Sequence, residues 1–266
     1  MLAVYIAVGV AVLLYLLFFL ENRRFCSVCT VCEHTAIRQA FRVVQISDLH
    51  DARFGKEQSR LIQAIREAKP DYIVITGDLF NRRNHKASKH VFELIKGILD
   101  IAPVYFAEGN HECVMLEDGE HYLSQLSDLG VNVLRNAYAD VPHCRIVGLK
   151  QFASTVEIKR LLSKNRCNIV LSHRPERIDI YSDSGADVVL CGHAHGGQLR
   201  FGHHGMYAPQ QGFFPKYTEG WHQQKNTKMY VSRGLGNTIP IPRVFDTPEL
   251  NVIDFQPMQK EVSNVC

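Results

Sequence analysis

Five short apolar runs recur along this chain, and each gives way to polar residues of a restricted kind. Phe41-Arg42-Val43-Val44-Gln45-Ile46 leads to Ser47-Asp48-Leu49-His50, Asp71-Tyr72-Ile73-Val74-Ile75 to Thr76-Gly77-Asp78-Leu79, and Pro103-Val104-Tyr105-Phe106 to Glu108-Gly109-Asn110-His111-Glu112. Further on, Asn168-Ile169-Val170-Leu171 ends in Ser172-His173-Arg174-Pro175, and Asp187-Val188-Val189-Leu190 in Cys191-Gly192-His193-Ala194-His195-Gly196-Gly197. Runs of four to six mostly β-branched or aromatic residues read as strands. Between them lie helix-like segments: one with apolar residues at Leu61, Ile62, Ile65 and Ala68 that stops near Pro70, and others around 87–99, 119–129 and 155–162. Strands alternating with helices predict an α/β fold, and open α/β sheets place their sites at the carboxyl ends of the strands. The pattern therefore predicts that Asp48, His50, Asp78, Asn110, His111, His173, His193 and His195 converge.

The last of these strand ends is the most telling. A His-x-His pair that leaves a strand into a glycine-flanked turn has little bulk around it, so both rings can aim at one point. Imidazole is the commonest metal ligand, although isolated His pairs are frequent in solvated turns. Short strands are also expected at 131–134, 144–149, 227–231 and 250–255. The stretch 202–226, rich in Gly, His and aromatics without a clean period, reads as a lid or rim.

Ahead of this domain, Met1 to Leu20 contain no charged side chain and are almost all large and apolar. As a helix rising about 1.5 Å per residue, they match a hydrocarbon layer roughly 30 Å thick. A cleaved signal peptide would need a basic stretch before the apolar run, whereas Glu21-Asn22-Arg23-Arg24 follows it. The expectation is a transmembrane anchor at 1–20, a juxtamembrane linker at 21–40, a domain at 41–256 and a C-terminal tail at 257–266. Arg23, Arg24, Arg38 and Arg42 all follow the apolar run, which favours a single-pass protein with its domain in the cytoplasm. Scattered cysteines at 113, 144, 167, 191 and 266 fit a reducing compartment. Cys26, Cys29 and Cys32 beside the membrane leave three readings open: a partial metal site helped by His34, lipidation, or no role. A net charge of +3 is too mild to indicate nucleic acid.

The ordered set Asp48-Leu49-His50, Gly77-Asp78, Gly109-Asn110-His111-Glu112, His173 and Gly192-His193-Ala194-His195 resembles the calcineurin-like metallophosphoesterase family over roughly 41–255. The apolar amino end, the Gly-His-Ala-His-Gly-Gly-Gln form of the last motif and Tyr230-Val231-Ser232-Arg233-Gly234 resemble its membrane-associated YkuE/YaeI-type branch. The resemblance implies a four-layer αββα sandwich holding two divalent ions, Mn²⁺ before Fe²⁺ or Zn²⁺. It assigns Asp48, His50, Asp78 and His195 to one ion, and Asp78, Asn110, His173 and His193 to the other, with Asp78 as the bridge. Two such ions lower the pKa of a shared water and clamp phosphate oxygens. His111 would protonate the leaving oxygen or stabilise charge in the transition state.

The reaction so implied is hydrolysis of a phosphodiester or pyrophosphate bond, and the anchor points to a lipid-borne substrate. UDP-2,3-diacylglucosamine, an intermediate of lipid A synthesis, comes first, and a phospholipid headgroup or cell-wall phosphodiester second. A membrane-bound binding protein on an inactive version of this fold is the reading of another class. Arg174, Arg233 and Arg243 are candidates for gripping a second phosphate. The segment from Gly212 to Trp221, with Phe213, Phe214 and the chain's only tryptophan, is expected to form an apolar rim that meets an acyl chain or the bilayer.

Overall fold

The computed structural model describes residues 1–82, 89–115, 117–238 and 242–258. The chain opens with helix α1 (Leu2–Glu21), strand β1 (Cys26–His34), β2 (Phe41–Ile46), α2 (Ser59–Ala68), β3 (Tyr72–Ile75), α3 (Lys89–Ile98) and β4 (Val104–Phe106). It continues through α4 (Asn110–Val114), α5 (Glu117–Asp128), β5 (Asn132–Val133), β6 (Ala137–Asp140), β7 (Arg145–Gly148), α6 (Thr155–Leu161), β8 (Asn168–Leu171), α7 (Ile178–Ser184) and β9 (Val188–Cys191). Two short hairpins follow, β10 (Arg200–Phe201) with β11 (His204–Gly205) and β12 (Tyr207–Ala208) with β13 (Gly212–Phe213), before β14 (Gly220–Gln224), β15 (Thr227–Val231) and β16 (Glu249–Pro257).

Two six-stranded sheets result, ordered β1-β16-β2-β3-β4-β5 and β14-β15-β9-β8-β7-β6. Strand alternation explains how they stack. In the first sheet Val43 and Val74 face the second sheet and pack on Ile169, Leu171, Val188, Leu190 and Tyr230, while Val44, Ile73 and Ile75 turn outward onto α2, α3 and α5. In the second, Val147, Val170 and Val189 turn outward onto Ile158 of α6 and Ile178 and Tyr181 of α7. Helices thus cover both outer faces, giving the four layers implied by the resemblance. Each buried aliphatic side chain contributes about 1.5–3 kcal/mol, so strands buried on both faces hold the centre rigidly. Helix ends follow local chemistry: Ser154 and Glu157 cap α6 reciprocally, with bonds of 3.3 and 2.8 Å, and Gly185 closes α7 at φ 84°.

Parallel pairing of β2, β3 and β4, and of β7, β8 and β9, points the five motif-bearing carboxyl ends the same way within each sheet.

The segment 21–40 departs from the expected linker, because β1 pairs in parallel with β16 along its whole length and becomes the edge of the first sheet. That pairing also bears on the metal reading of the cysteine trio. Side chains alternate along a strand, so Cys29 faces away from Cys26 and Cys32, which are themselves on the order of 20 Å apart. The three cannot share a metal. Cys32 is buried, which pushes its thiol up to about 12, and His34 is engaged by Ala36 N–H and the carbonyl of Asn226. Helix α7 and strands β6 and β14 are additions to the elements read from sequence. Of the expected tail, residues 259–266 with Cys266 lie outside the described residues, as does the start of the helix expected from 87.

Helix α1 is apolar enough to span a membrane and is exposed along nearly its whole length. Its end is fastened to the domain. Asn22 Oδ1 accepts the Arg243 N–H at 2.6 Å and Asn22 Nδ2 donates to the Arg243 carbonyl at 3.0 Å, Thr247 Oγ1 bonds Glu21 at 3.2 Å, and the Phe18 ring meets Phe245 edge-on at 5.4 Å.

Candidate metal centre

The turns after β2, β3, β4, β8 and β9 bring their side chains to one place. Asp48, His50 and His195 each offer a donor atom within 4.8 Å of the others, as do Asp78, His173 and His193, and also His50, Asp78 and His111. One carboxylate oxygen lies at the middle: Asp78 Oδ2 is 3.2 Å from His173 Nε2, 3.7 Å from His50 Nε2 and 3.9 Å from His111 Nε2. On the other side Asp48 Oδ1 lies 3.5 Å from His195 Nε2 and 3.8 Å from His50 Nε2. All of these side chains are buried.

Backbone conformation aims them. Asp48, His50, Asp78, His193 and His195 all have positive φ, between 46° and 71°. This left-handed region costs non-glycine residues on the order of 1–3 kcal/mol each and persists where surrounding structure imposes it. Two glycines permit the crowding. A Cβ at Gly109 would stand 2.1 Å from Asp78 Oδ1, and one at Gly192 would stand 2.3 Å from Asp48 Oδ2.

The residues fit two divalent ions. Buried Asn110 Oδ1 has no hydrogen-bond partner among the described residues, although nearly every buried polar atom has one. His50 Nε2 faces His195 Nε2 at 3.2 Å, and His193 Nδ1 faces His173 Nε2 at 3.1 Å. Burial holds His50, His193 and His195 below the usual histidine range, so these rings are neutral and present lone pairs at neutral pH. Burial alone would also lower His173, but Asp78 and Asp48 outweigh it and raise it to about 10. Burial would raise the Asp78 carboxyl, yet His173, His50 and His111 together hold it well below the carboxylate range. Mixed oxygen and nitrogen donors of this kind suit first-row divalent metals.

Partners behind the rings fix which nitrogen faces inward. His173 donates Nδ1–H to the Thr76 carbonyl at 2.8 Å, so Nε2 is the nitrogen that would ligate a metal, on giving up its proton. Gln210, at the tip of the β12–β13 hairpin, accepts from His193 Nε2, leaving Nδ1. His111 differs: its Nδ1 accepts the Arg82 N–H at 3.1 Å, so the neutral ring carries its proton on Nε2, towards Asp78. His195 stands apart, since the Arg243 guanidinium lies 3.0 Å from its Nδ1, and ligation through Nε2 would require that contact to open or the ring to lose its proton. Glu112 accepts from the N–H groups of Asp78, Phe80 and Gly109 at 2.8–3.2 Å and stitches the β3 and β4 turns together, while burial pushes its carboxyl up to about 7. Arg82, Glu112 and Gln210 were not found from sequence. Glu112 sits inside a motif and could have been, whereas nothing local marks Gln210.

The arginines expected to grip phosphate are engaged within the protein. Arg233 pairs with Glu249 at 2.7 Å, and Arg243 is fully buried among the carbonyls of Arg233, Gly234 and Gly236. Arg174, directly after His173, donates to Gln151 at 2.6 Å and to Glu176 at 3.1 Å beneath the Phe152 ring. Phe213 and Phe214 are three-quarters exposed, as an apolar rim requires. Trp221 does not join them. It belongs to β14, packs edge-on against Tyr230 and donates its indole N–H to Thr30 at 2.9 Å, because that strand is drawn into the sheet against β1.

The model of the calcineurin-like phosphoesterase family matches residues 41–197, which include every ligand candidate. The chain is 30% identical to the metallophosphoesterase YkuE of Bacillus subtilis, covering 80% of this chain and 78% of that protein. It is 28% identical to the phosphodiesterase YaeI of Escherichia coli and to the UDP-2,3-diacylglucosamine pyrophosphatase LpxG of Chlamydia muridarum, in each case covering 80% of this chain and 82% of the relative. Among solved structures, a 5'-nucleotidase precursor of Thermus thermophilus superposes with a TM-score of 0.50 at 15% identity over 74% of this chain, which spans 50% of that one, and so shares the fold. The chain belongs to the calcineurin-like phosphoesterase family, as a metallophosphoesterase with a dinuclear metal-binding site.

Proposed function

We propose that this protein is a membrane-anchored hydrolase of a lipid-linked phosphodiester or pyrophosphate, with UDP-2,3-diacylglucosamine, the substrate in LpxG's name, as the leading candidate. The observation that carries the lipid reading is the junction between anchor and site: Asn22, directly after α1, is bonded to Arg243, whose guanidinium touches His195. An apolar helix joined this closely to the metal centre holds the site near the bilayer surface. Arg23 and Arg24, following the apolar run, favour a domain on the cytoplasmic side.

In this reading Asp48, His50, Asp78 and His195 hold one ion and Asp78, Asn110, His173 and His193 the other, with Mn²⁺ first in order. Bound there, two such ions would supply Lewis acidity to the phosphate and to the attacking water. The protein's own part is positional. Ionised Asp78 balances positive charge at the centre, and Thr76 and Gln210 hold the rings of His173 and His193 with the ligating nitrogen inward. As the water oxygen bonds to phosphorus and the bond to the leaving oxygen breaks, His111 Nε2–H supplies the proton that oxygen takes up. Phe213 and Phe214 would meet acyl chains, and Arg174 remains the arginine nearest a ligand in sequence for a second phosphate.

The test is hydrolysis by detergent-solubilised full-length protein supplied with Mn²⁺, using UDP-2,3-diacylglucosamine, a phospholipid and a small aryl phosphodiester side by side. Preference for the nucleotide lipid is expected. Equal or better turnover of the aryl diester would overturn the lipid assignment while leaving the phosphoesterase intact.

A further inference from the structure

Five large aromatic side chains stand exposed on the segments that follow β9: Phe201, Tyr207, Phe213, Phe214 and Phe245, each between 46 and 75% accessible. They come from different parts of the chain and are joined by backbone. Leu199 bridges Val244, and Val244 exchanges hydrogen bonds with Gln198 and Arg200 at 2.8 and 3.0 Å, which ties the β10–β11 hairpin with Phe201 to the segment that carries Phe245. Phe214 N–H bonds the Met206 carbonyl at 3.0 Å, and the Tyr207 and Phe213 rings meet edge-on at 5.5 Å. The series begins at α1, since Phe245 packs on Phe18.

That contact fixes depth. Phe18 lies in the last turn of a 20-residue helix, which at about 1.5 Å per residue spans a hydrocarbon layer of roughly 30 Å. If α1 crosses the bilayer, its partner Phe245 lies at the boundary between headgroups and acyl chains, and the hairpins bonded to the Phe245 segment lie along the same boundary. Aromatic side chains concentrate at that level.

Two further observations point the same way. Phe214 and Phe245 both have φ 54°, a conformation uncommon for bulky residues, and in it both rings project into solvent. Strain that exposes an apolar ring has no reward in water and has one in lipid. The stretch from Leu199 to Thr218 also contains no Asp or Glu, its Arg200 is buried against Glu219, Lys216 is left as its outward charge, and Arg23 lies over the Phe19 ring at 4.7 Å, an arrangement suited to an anionic lipid surface.

We infer that Phe201, Tyr207, Phe213, Phe214 and Phe245 form a collar that seats this face of the domain in the interface of the bilayer spanned by α1. The inference rests on α1 being a membrane anchor. It deepens the lipid-substrate reading, because the β12–β13 hairpin that carries Tyr207 and Phe213 also carries Gln210, which bonds His193. The collar would bring the metal centre to the headgroup layer and leave no aqueous gap for a lipid-linked phosphate to cross.

The chain's only tryptophan lies between the sheets and provides an internal reference. Full-length wild type, F213W/W221F and F245W/W221F are reconstituted into phosphatidylcholine–phosphatidylglycerol vesicles, with and without bromine on the acyl chains, and tryptophan emission is compared. The collar predicts a several-fold loss of emission in brominated vesicles for both variants and little change for wild type. Equal emission in the two kinds of vesicle from both variants overturns it. A carbonate wash separates this outcome from failure of the anchor: protein that stays with the vesicles while both new tryptophans remain unquenched refutes the collar alone, and protein that washes off refutes both.

Discussion

The two sheets contribute different chemistry to the same centre. In the proposed centre the first sheet would supply the oxygen donors Asp48, Asp78 and Asn110, together with His50 and the proposed proton donor His111, whereas the second would supply the imidazoles of His173, His193 and His195. The first sheet thus carries the negative charge that would balance bound cations, and the second carries imidazoles, of which His173 and His193 have their inward nitrogen chosen by partners elsewhere in the fold. Loss of a carboxylate should therefore remove charge at the centre, whereas loss of a partner behind a ring should leave the charge and loosen the aim.

The sharpest break of this contrast is Asp78→Ala. It removes the carboxylate shared between the two ligand groups, so hydrolysis should vanish and metal analysis of the purified protein should find both ions gone, while Asn110→Ala on the same sheet should lose one. Retention of both ions in the Asp78 variant would sink the bridging role.

Next in size is His111→Gln. The first sheet would keep its donors, so metal content should match wild type while kcat drops about 10²–10⁴-fold, the usual contribution of a positioned acid. A near-normal rate would place His111 outside the chemistry.

On the second sheet, Gln210→Leu should leave every ligand in place and weaken metal affinity about 10–100-fold, the scale for losing a partner behind a ligand. Competition with a chelator measures it, and unchanged affinity would mean that Gln210 does not orient His193.

The smallest effect concerns stability behind the centre. Asp246 is buried beside Gly196, neither carboxylate oxygen has a hydrogen bond among the described residues, and burial raises it from 3.8 to about 6 although Arg243 opposes the shift. A raised acid pKa means that the folded protein binds more protons than the unfolded one between these values, so stability falls as pH rises through that window. Asp246→Asn should flatten the fall and stabilise the protein at pH 7 by up to about 3 kcal/mol, at 1.36 kcal/mol per pKa unit. Thermal unfolding at pH 4 and pH 7 reads both effects; an unchanged slope would show that Asp246 does not titrate differently on folding.

The sequence by itself determined the alternation of strands and helices and which residues end those strands, and its family resemblance supplied the four layers. Apolar runs such as Ile73-Val74-Ile75 have one low-energy fate, burial on both faces of a sheet, and the carboxyl end of a parallel strand is where the next polar residue must emerge. Asp78 or His193 could therefore be named from its place after a run. Only the tertiary structure decided what those residues lean on. Gln210 reaches His193 from 17 positions away, Arg82 reaches His111 from 29, and Asn22 reaches Arg243 from 221, distances over which no local pattern carries information. The same holds for β1, taken for a linker because its partner β16 lies at the far end of the chain, and for Trp221, which looked like part of an exposed rim until β14 paired with β15 and its indole found Thr30. Periodicity shows which side of a strand is buried, but the neighbour that buries it is set by how the sheets close.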